Sequence, residues 1–152
     1  MIFPALAVLG TISCTKEDTY PVTPEISFKS LEIFKNGSGK DSLLLTFTFS
    51  DGDGDIGTWE GDTVNRDVFV SMFEMQNGVF VKFNDPFGAF NYRIPFLKPR
   101  GNNKSLKGDI EINIDYNIFQ PNDTIRYELY MKDRADHISN TISTSTIITG
   151  VQ

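Results

Sequence analysis

The chain has 152 residues, enough for one domain with a well-filled core, and 39% hydrophobic with 22% charged residues is an ordinary globular balance. Twenty acidic against 14 basic residues give a formal net charge of -6, which repels phosphate backbones; with no basic cluster, nucleic acid is excluded as a partner. Thirteen Phe and 5 Tyr, without long Ala/Leu/Glu/Lys runs, favour strands over helices.

In chain order, residues 1–13, MIFPALAVLGTIS, form the only long apolar segment. It is too short to cross a bilayer but suits the hydrophobic part of a signal peptide. Ser13-Cys14 follows, and Cys14, the single cysteine, has no partner for an internal disulfide. The arrangement resembles the lipobox of bacterial lipoproteins, with Thr11 where leucine is usual, and implies lipidation of Cys14 as the membrane anchor. Lys16-Glu17-Asp18 resembles the export signal that sends lipoproteins of Bacteroidota to the cell surface. The expected address is therefore the outer membrane, lipid-anchored, on its outer face. Residues 14–25, with Pro21 and Pro24, read as an extended lipidated tether, and the folded domain is expected over 26–152.

From Ile26 onward the signal is period two. A first strand is expected near 26–34 and a second over 42–50, where Leu43, Leu45, Phe47 and Phe49 share one face. Others follow at 67–76, at 110–116 with Ile110, Ile112 and Ile114 on one face, at 124–132, and at 138–149. Asn36-Gly-Ser-Gly39 and Asn77-Gly78 are turn signals, the latter a strong hairpin mark. No segment shows helical periodicity with caps. Seven or eight short strands predict an all-β fold, an immunoglobulin-like antiparallel β-sandwich, with a small barrel or jelly roll as the alternative.

Lettered in that layout, 42–50 is strand B, 67–76 is C, 124–132 is F and 138–149 is G. The B–C and F–G connections then leave at the same pole. This brings Asp51, Asp53 and Asp55 of the stretch FSDGDGDIG near Asp133 and Asp136. Two carboxylates about 5 Å apart repel by about 3 kcal/mol at an effective dielectric near 20, so converging acids call for a neutralising cation. Ca²⁺, which takes six to eight oxygens, is the expected ion, and the five aspartates are the expected ligands, with Glu60 and Asp62 in reserve. The spacing opens like an EF-hand loop but has Ile56 where that loop needs glycine and Asp62 where it needs a bidentate Glu. The competing reading is a solvated acidic turn of ordinary Asp and Gly residues.

Catalysis has little to stand on. His137 is the only histidine and reads as a turn residue; an exposed glycine-spaced acidic run lacks the burial contrast that hydrolytic carboxylate pairs use. No catalytic residue is assigned and the chain is expected not to be an enzyme. Exposed aromatics would suit a glycan- or protein-binding module. Trp59, in the B–C connection, and Tyr92, with Phe87 and Phe90, are the candidate ligand-binding residues; their plainer role is to cap the ends of the core.

As a whole, the apolar leader with Ser13-Cys14, the acidic tether, the FSDGDGDIG stretch and Asp133-Arg-Ala-Asp-His-Ile-Ser-Asn140 resemble a group of uncharacterised Bacteroidota lipoproteins. The resemblance implies an immunoglobulin-like fold and a cell-envelope address, with an envelope protein or a glycan as the partner to look for. Related domains often have glycine at the position of Asp136.

Overall fold

The computed structural model describes residues 19–34, 41–84, 90–99, 103–116 and 124–148. The leader, Cys14 and most of the tether therefore lie outside the described residues, as do Asn36–Gly39 and Phe87. Among the described residues no helix is long and apolar enough to cross a membrane.

Every named element is a strand: β1 (Glu25–Phe34), β2 (Asp41–Asp51), β3 (Val68–Gln76), β4 (Val79–Lys82), β5 (Phe90–Tyr92), β6 (Leu106–Tyr116), β7 (Thr124–Met131), β8 (Ile142–Ser143) and β9 (Ile147–Ile148). They form two antiparallel sheets. One has the order β1-β2-β6; the other has the order β4-β3-β7-β8, with β5 also on β3 and β9 on β7. This is a β-sandwich whose strand order sets β1, β2 and β6 (strands A, B and E of the immunoglobulin layout) in one layer against β3, β7 and β8 with β9 (C, F and G) in the other.

The alternation read from the sequence is the alternation of burial. Leu43, Leu45, Phe47 and Phe49 of β2, Ile112 and Ile114 of β6, and Ile125, Tyr127, Leu129 and Met131 of β7 are all buried. On β3 the inner face is Val68, Val70, Met72 and Glu74, while Phe69 and Phe73 face outward. The outer aromatics find cross-strand partners: Phe69 stacks on Tyr130 at 4.9 Å, and the Arg126 guanidinium lies over Phe73 and Phe80. Such pairs keep a solvent face of a sheet ordered without joining the core.

The expected exit strand over 138–149 divides into two short pieces, which brings the count among the described residues to nine. Its serine and threonine side chains take over part of the ladder. Ser139 Oγ accepts the Met131 N–H and Thr144 Oγ1 accepts the Tyr127 N–H, each while its own backbone N–H donates to the same residue's carbonyl. Buried backbone groups on β7 are thus satisfied, but by side chains that interrupt regular pairing. Asn140 closes the edge of the opposite layer, since its amide oxygen accepts the Ile26 N–H and its amide nitrogen donates to the Ile26 carbonyl.

Candidate metal centre

Asp51 is the last residue of β2 and is fully buried. Its Oδ2 accepts the N–H groups of Gly54 at 2.7 Å and Asp55 at 3.2 Å, which curls the chain back on itself at once. Two glycines allow that curl. Gly52 lies so close to the Tyr20 and Pro21 backbone that a Cβ would clash, and its N–H donates to the Pro21 carbonyl. Gly54 adopts φ +72° against the Lys104 carbonyl, in the left-handed region that side chains disfavour. Residues 56–58 then run beside 94–97, with Thr58 bridged to Pro95, which seats Ile56 in the core.

The Asp133–His137 turn docks on this loop, at the pole expected from the strand order. The Arg134 N–H donates to the Asp55 carbonyl and the Ala135 N–H to Asp55 Oδ2. Arg134 Nη1 reaches across to the carbonyls of Ile56 and Gly57, both at 2.9 Å. The result is that carboxylate oxygens of Asp51, Asp55 and Asp133 all lie within 4.8 Å of one another.

The contrast with another buried acid is informative. Asp67, also buried, has both oxygens bonded: Oδ1 accepts the Thr58 hydroxyl at 2.6 Å and Oδ2 the Ile94 N–H at 2.7 Å. In the acidic loop each of Asp51, Asp53 and Asp55 has a buried Oδ1 with no hydrogen-bond partner. Buried polar atoms in native folds are normally satisfied, so three orphaned oxygens in five residues mark a place for a further ligand. Burial, opposed by the Gly54 and Asp55 N–H bonds and reinforced by the charges of Asp53 and Asp55, pushes Asp51 up to about 6. Asp55 is raised as well, first by burial and then by the charges of Asp133 and Asp53.

Two of the five expected ligands differ from the other three. Asp53 is close enough to act electrostatically on both neighbours, and its orphaned Oδ1 belongs to the same loop, but it is outside the close triad. Asp136 points away. It is exposed, bonded to Lys132 Nζ at 2.7 Å, and takes φ +68°, the left-handed conformation for which glycine is the natural occupant. Its carboxyl is held below the usual range by that lysine. Asp133 instead has a partner that the chain's spacing does not reveal: His137 donates its N–H to Oδ1 and sets Nδ1 2.8 Å from Oδ2, an interaction that raises the imidazole's pKa.

All donors that converge here are hard oxygens. That set suits Ca²⁺, or Mg²⁺ if its stricter octahedral demand is met, rather than zinc or copper. Asp51, Asp55 and Asp133 would supply the shared ligand atoms, with Asp53 Oδ1 as a further oxygen from the same loop.

The chain matches no known family model, curated protein or solved structure.

Trp59 stands beside the acids and is 59% exposed. One face stacks on Phe96, ring centroids 3.8 Å apart, and the Arg134 guanidinium covers both rings at 5.5 and 4.5 Å. It borders a polar cleft of about 280 Å³ that also involves Asp62, Asn65, Lys132 and Asp133. Tyr92 is elsewhere: it is half-buried in β5, paired with Val68, and lines a different cleft. Phe90 packs edge-on against the buried Tyr127, so it caps the core. Trp59 and Tyr92 therefore do not form one platform.

Proposed function

We propose that this protein is a cell-envelope lipoprotein, anchored through Cys14, whose β-sandwich is a non-enzymatic binding or accessory module stabilised by Ca²⁺. The envelope address rests on the apolar leader, Ser13-Cys14 and Lys16-Glu17-Asp18. The cation rests on one observation above all, the three buried carboxylate oxygens without partners beside a triad of acids within 4.8 Å. A cation satisfies the orphans and removes the mutual repulsion together.

Calcium modules of extracellular proteins bind at about 10⁻⁴–10⁻³ M, so 5 mM Ca²⁺ would stabilise the fold by about 1–2 kcal/mol. The expected result at pH 7.5 is a melting temperature several degrees higher in Ca²⁺ than in chelator, with a smaller rise in Mg²⁺. Identical melting curves in Ca²⁺ and chelator would remove the cation from this proposal.

A second reading, capture of a glycan, is favoured by the exposed face of Trp59 over a polar cleft next to the same acids. Sugar rings stack on such faces, and Asp62, Asn65 and Lys132 offer hydrogen-bonding edges. Because Trp59 is the only tryptophan, its fluorescence reports this site alone. Binding of a polysaccharide should change that emission, and Trp59→Ala should abolish binding while leaving the Ca²⁺ response in place. A flat signal across a broad glycan panel would count against this reading.

A further inference from the structure

The two segments that carry the acidic triad also build the surface around Trp59. Asp55 is followed at once by Ile56 and Gly57, whose carbonyls accept Arg134 Nη1, and then by Thr58 and Trp59. Asp133 is followed at once by Arg134 itself. The gap between the Asp55 and Asp133 segments therefore sets how closely Arg134 meets the indole. Phe96 belongs to the Asp55 side: the Thr58 N–H donates to the Ile94 carbonyl and the Leu97 N–H to the Ile56 carbonyl. Gly57 seals that contact, since a Cβ there would stand 2.3 Å from the Pro95 carbonyl oxygen. The guanidinium comes across the seam to reach both rings.

Asp55 feels the charge of Asp133 across this seam. Against that repulsion stand the Arg134 N–H on the Asp55 carbonyl at 3.2 Å and the Ala135 N–H on Asp55 Oδ2 at 3.1 Å, both at the long end of the hydrogen-bond range. A cation shared by the two carboxylates draws the segments together. The platform it would steady is open on one side. Arg134 lies nearer to Phe96 (4.5 Å) than to Trp59 (5.5 Å), so both supports sit behind the indole and its other face meets solvent.

The charged groups lining the adjoining cleft are already matched. Asp62 accepts the Val64 and Asn65 N–H groups and the Asn65 side-chain amide. Arg66 Nη1 donates to the carbonyls of Thr63, Val64 and Asn65. Lys132 is paired with Asp136, Asp133 with His137, and Asp67 is bonded as described above. An ionic ligand would have to break one of these pairs, whereas an uncharged sugar ring can stack on the indole and use the polar edges that remain.

Building on the cation and glycan readings above, we infer that cation occupancy gates the Trp59 face. With the acidic loop loaded, Arg134 is held against Phe96 and Trp59, and the open indole face takes an uncharged sugar ring. Without the cation the seam loosens and the ring binds weakly. Fixing an exposed side chain before its ligand arrives removes the cost of ordering it, so affinity rises. The coupling is reciprocal: bound sugar tightens the cation by the same factor. Arg134 acts as a positioning residue.

The test uses the full chain with soluble neutral glucan, mannan and galactan, each beside its sulfated form. Trp59 emission should report a neutral polysaccharide bound about tenfold more tightly in saturating Ca²⁺ than in chelator. With no sugar present, Ca²⁺ should remove the fast local component from the anisotropy decay of Trp59. Arg134→Lys keeps the charge but loses the planar fork. It should still melt higher in Ca²⁺, while its sugar affinity and Trp59 anisotropy no longer respond. Equal sugar affinity in Ca²⁺ and chelator, or an anisotropy that ignores Ca²⁺, overturns the gate; a melting temperature that still rises then leaves the cation site standing. No melting response at all removes the cation and the gate together. The inference also fails if no neutral polysaccharide binds, if the sulfated forms bind more tightly, or if Arg134→Lys responds as the parent does.

Discussion

Asp51→Asn is expected to melt higher than the parent protein in chelator at pH 7.5, and to lose the response to Ca²⁺. The parent's buried carboxyl is pushed up to about 6 from the ordinary 3.8, so its ionised form is disfavoured by folding. At about 1.4 kcal/mol per unit, removing that charge gains up to about 3 kcal/mol, or roughly 10 °C for a domain of this size. The amide keeps an oxygen for the Gly54 and Asp55 N–H groups and turns a donor toward the remaining acids. Adding Ca²⁺ should raise the parent and leave the variant where it was.

The sign of the pH dependence in chelator follows from the same shift. A folded-state carboxyl pKa above its unfolded value means that the folded state holds more protons between about pH 3.8 and 6. Stability therefore falls as pH rises through that window. His137, raised by its bond to Asp133, acts in the same direction above 6.5, its contribution being lost as pH passes its folded value. The metal-free protein should be more stable at pH 5 than at pH 7.5, and Ca²⁺ should narrow that gap by competing with the Asp51 proton. If Asp51→Asn melts below the parent in chelator, the buried charge is not a burden on the fold.

Gly54→Ala should be strongly damaging in the acidic loop. Its φ of +72° disfavours a side chain, and the new Cβ would stand 2.0 Å from the Lys104 carbonyl oxygen and 2.4 Å from Pro99 Cγ. Left-handed strain of about 1–2 kcal/mol adds to overpacking of about 1–3 kcal/mol, so a loss on the order of 3 kcal/mol is expected in denaturant titration. Gly61 separates the two causes. It has φ +94° but nothing within 4 Å of a Cβ, so Gly61→Ala should cost only the conformational part. Equal losses at the two sites would refute the packing argument.

These residues also show what could be read in the chain and what could not. The convergence of Asp51, Asp55 and Asp133 was legible because period-two burial identifies strands, and strand order puts two loops at one pole. The fate of Asp136 was not, because a single left-handed residue turns its carboxylate toward Lys132. Arg134 and His137 were missed as organisers of the site for a similar reason. Their roles depend on hydrogen bonds to Ile56, Gly57 and Asp133, which no side-chain periodicity encodes. The break in the exit strand was hidden by composition, since Ser139 and Thr144 suit a strand equally well when they interrupt one. Whether Trp59 faces solvent likewise depended on the position of Phe96, far from it in sequence.

The bond from the Gly52 N–H to the Pro21 carbonyl joins the end of the expected tether to the first turn of the acidic loop. Tyr20 is the sixth residue after Cys14, a reach of about 20 Å when fully extended. If the chain is anchored as proposed, the cation loop is also the joint on which the head swings above the membrane. Loading it with a cation would stiffen that joint and so limit how freely Trp59 sweeps the space around the anchor.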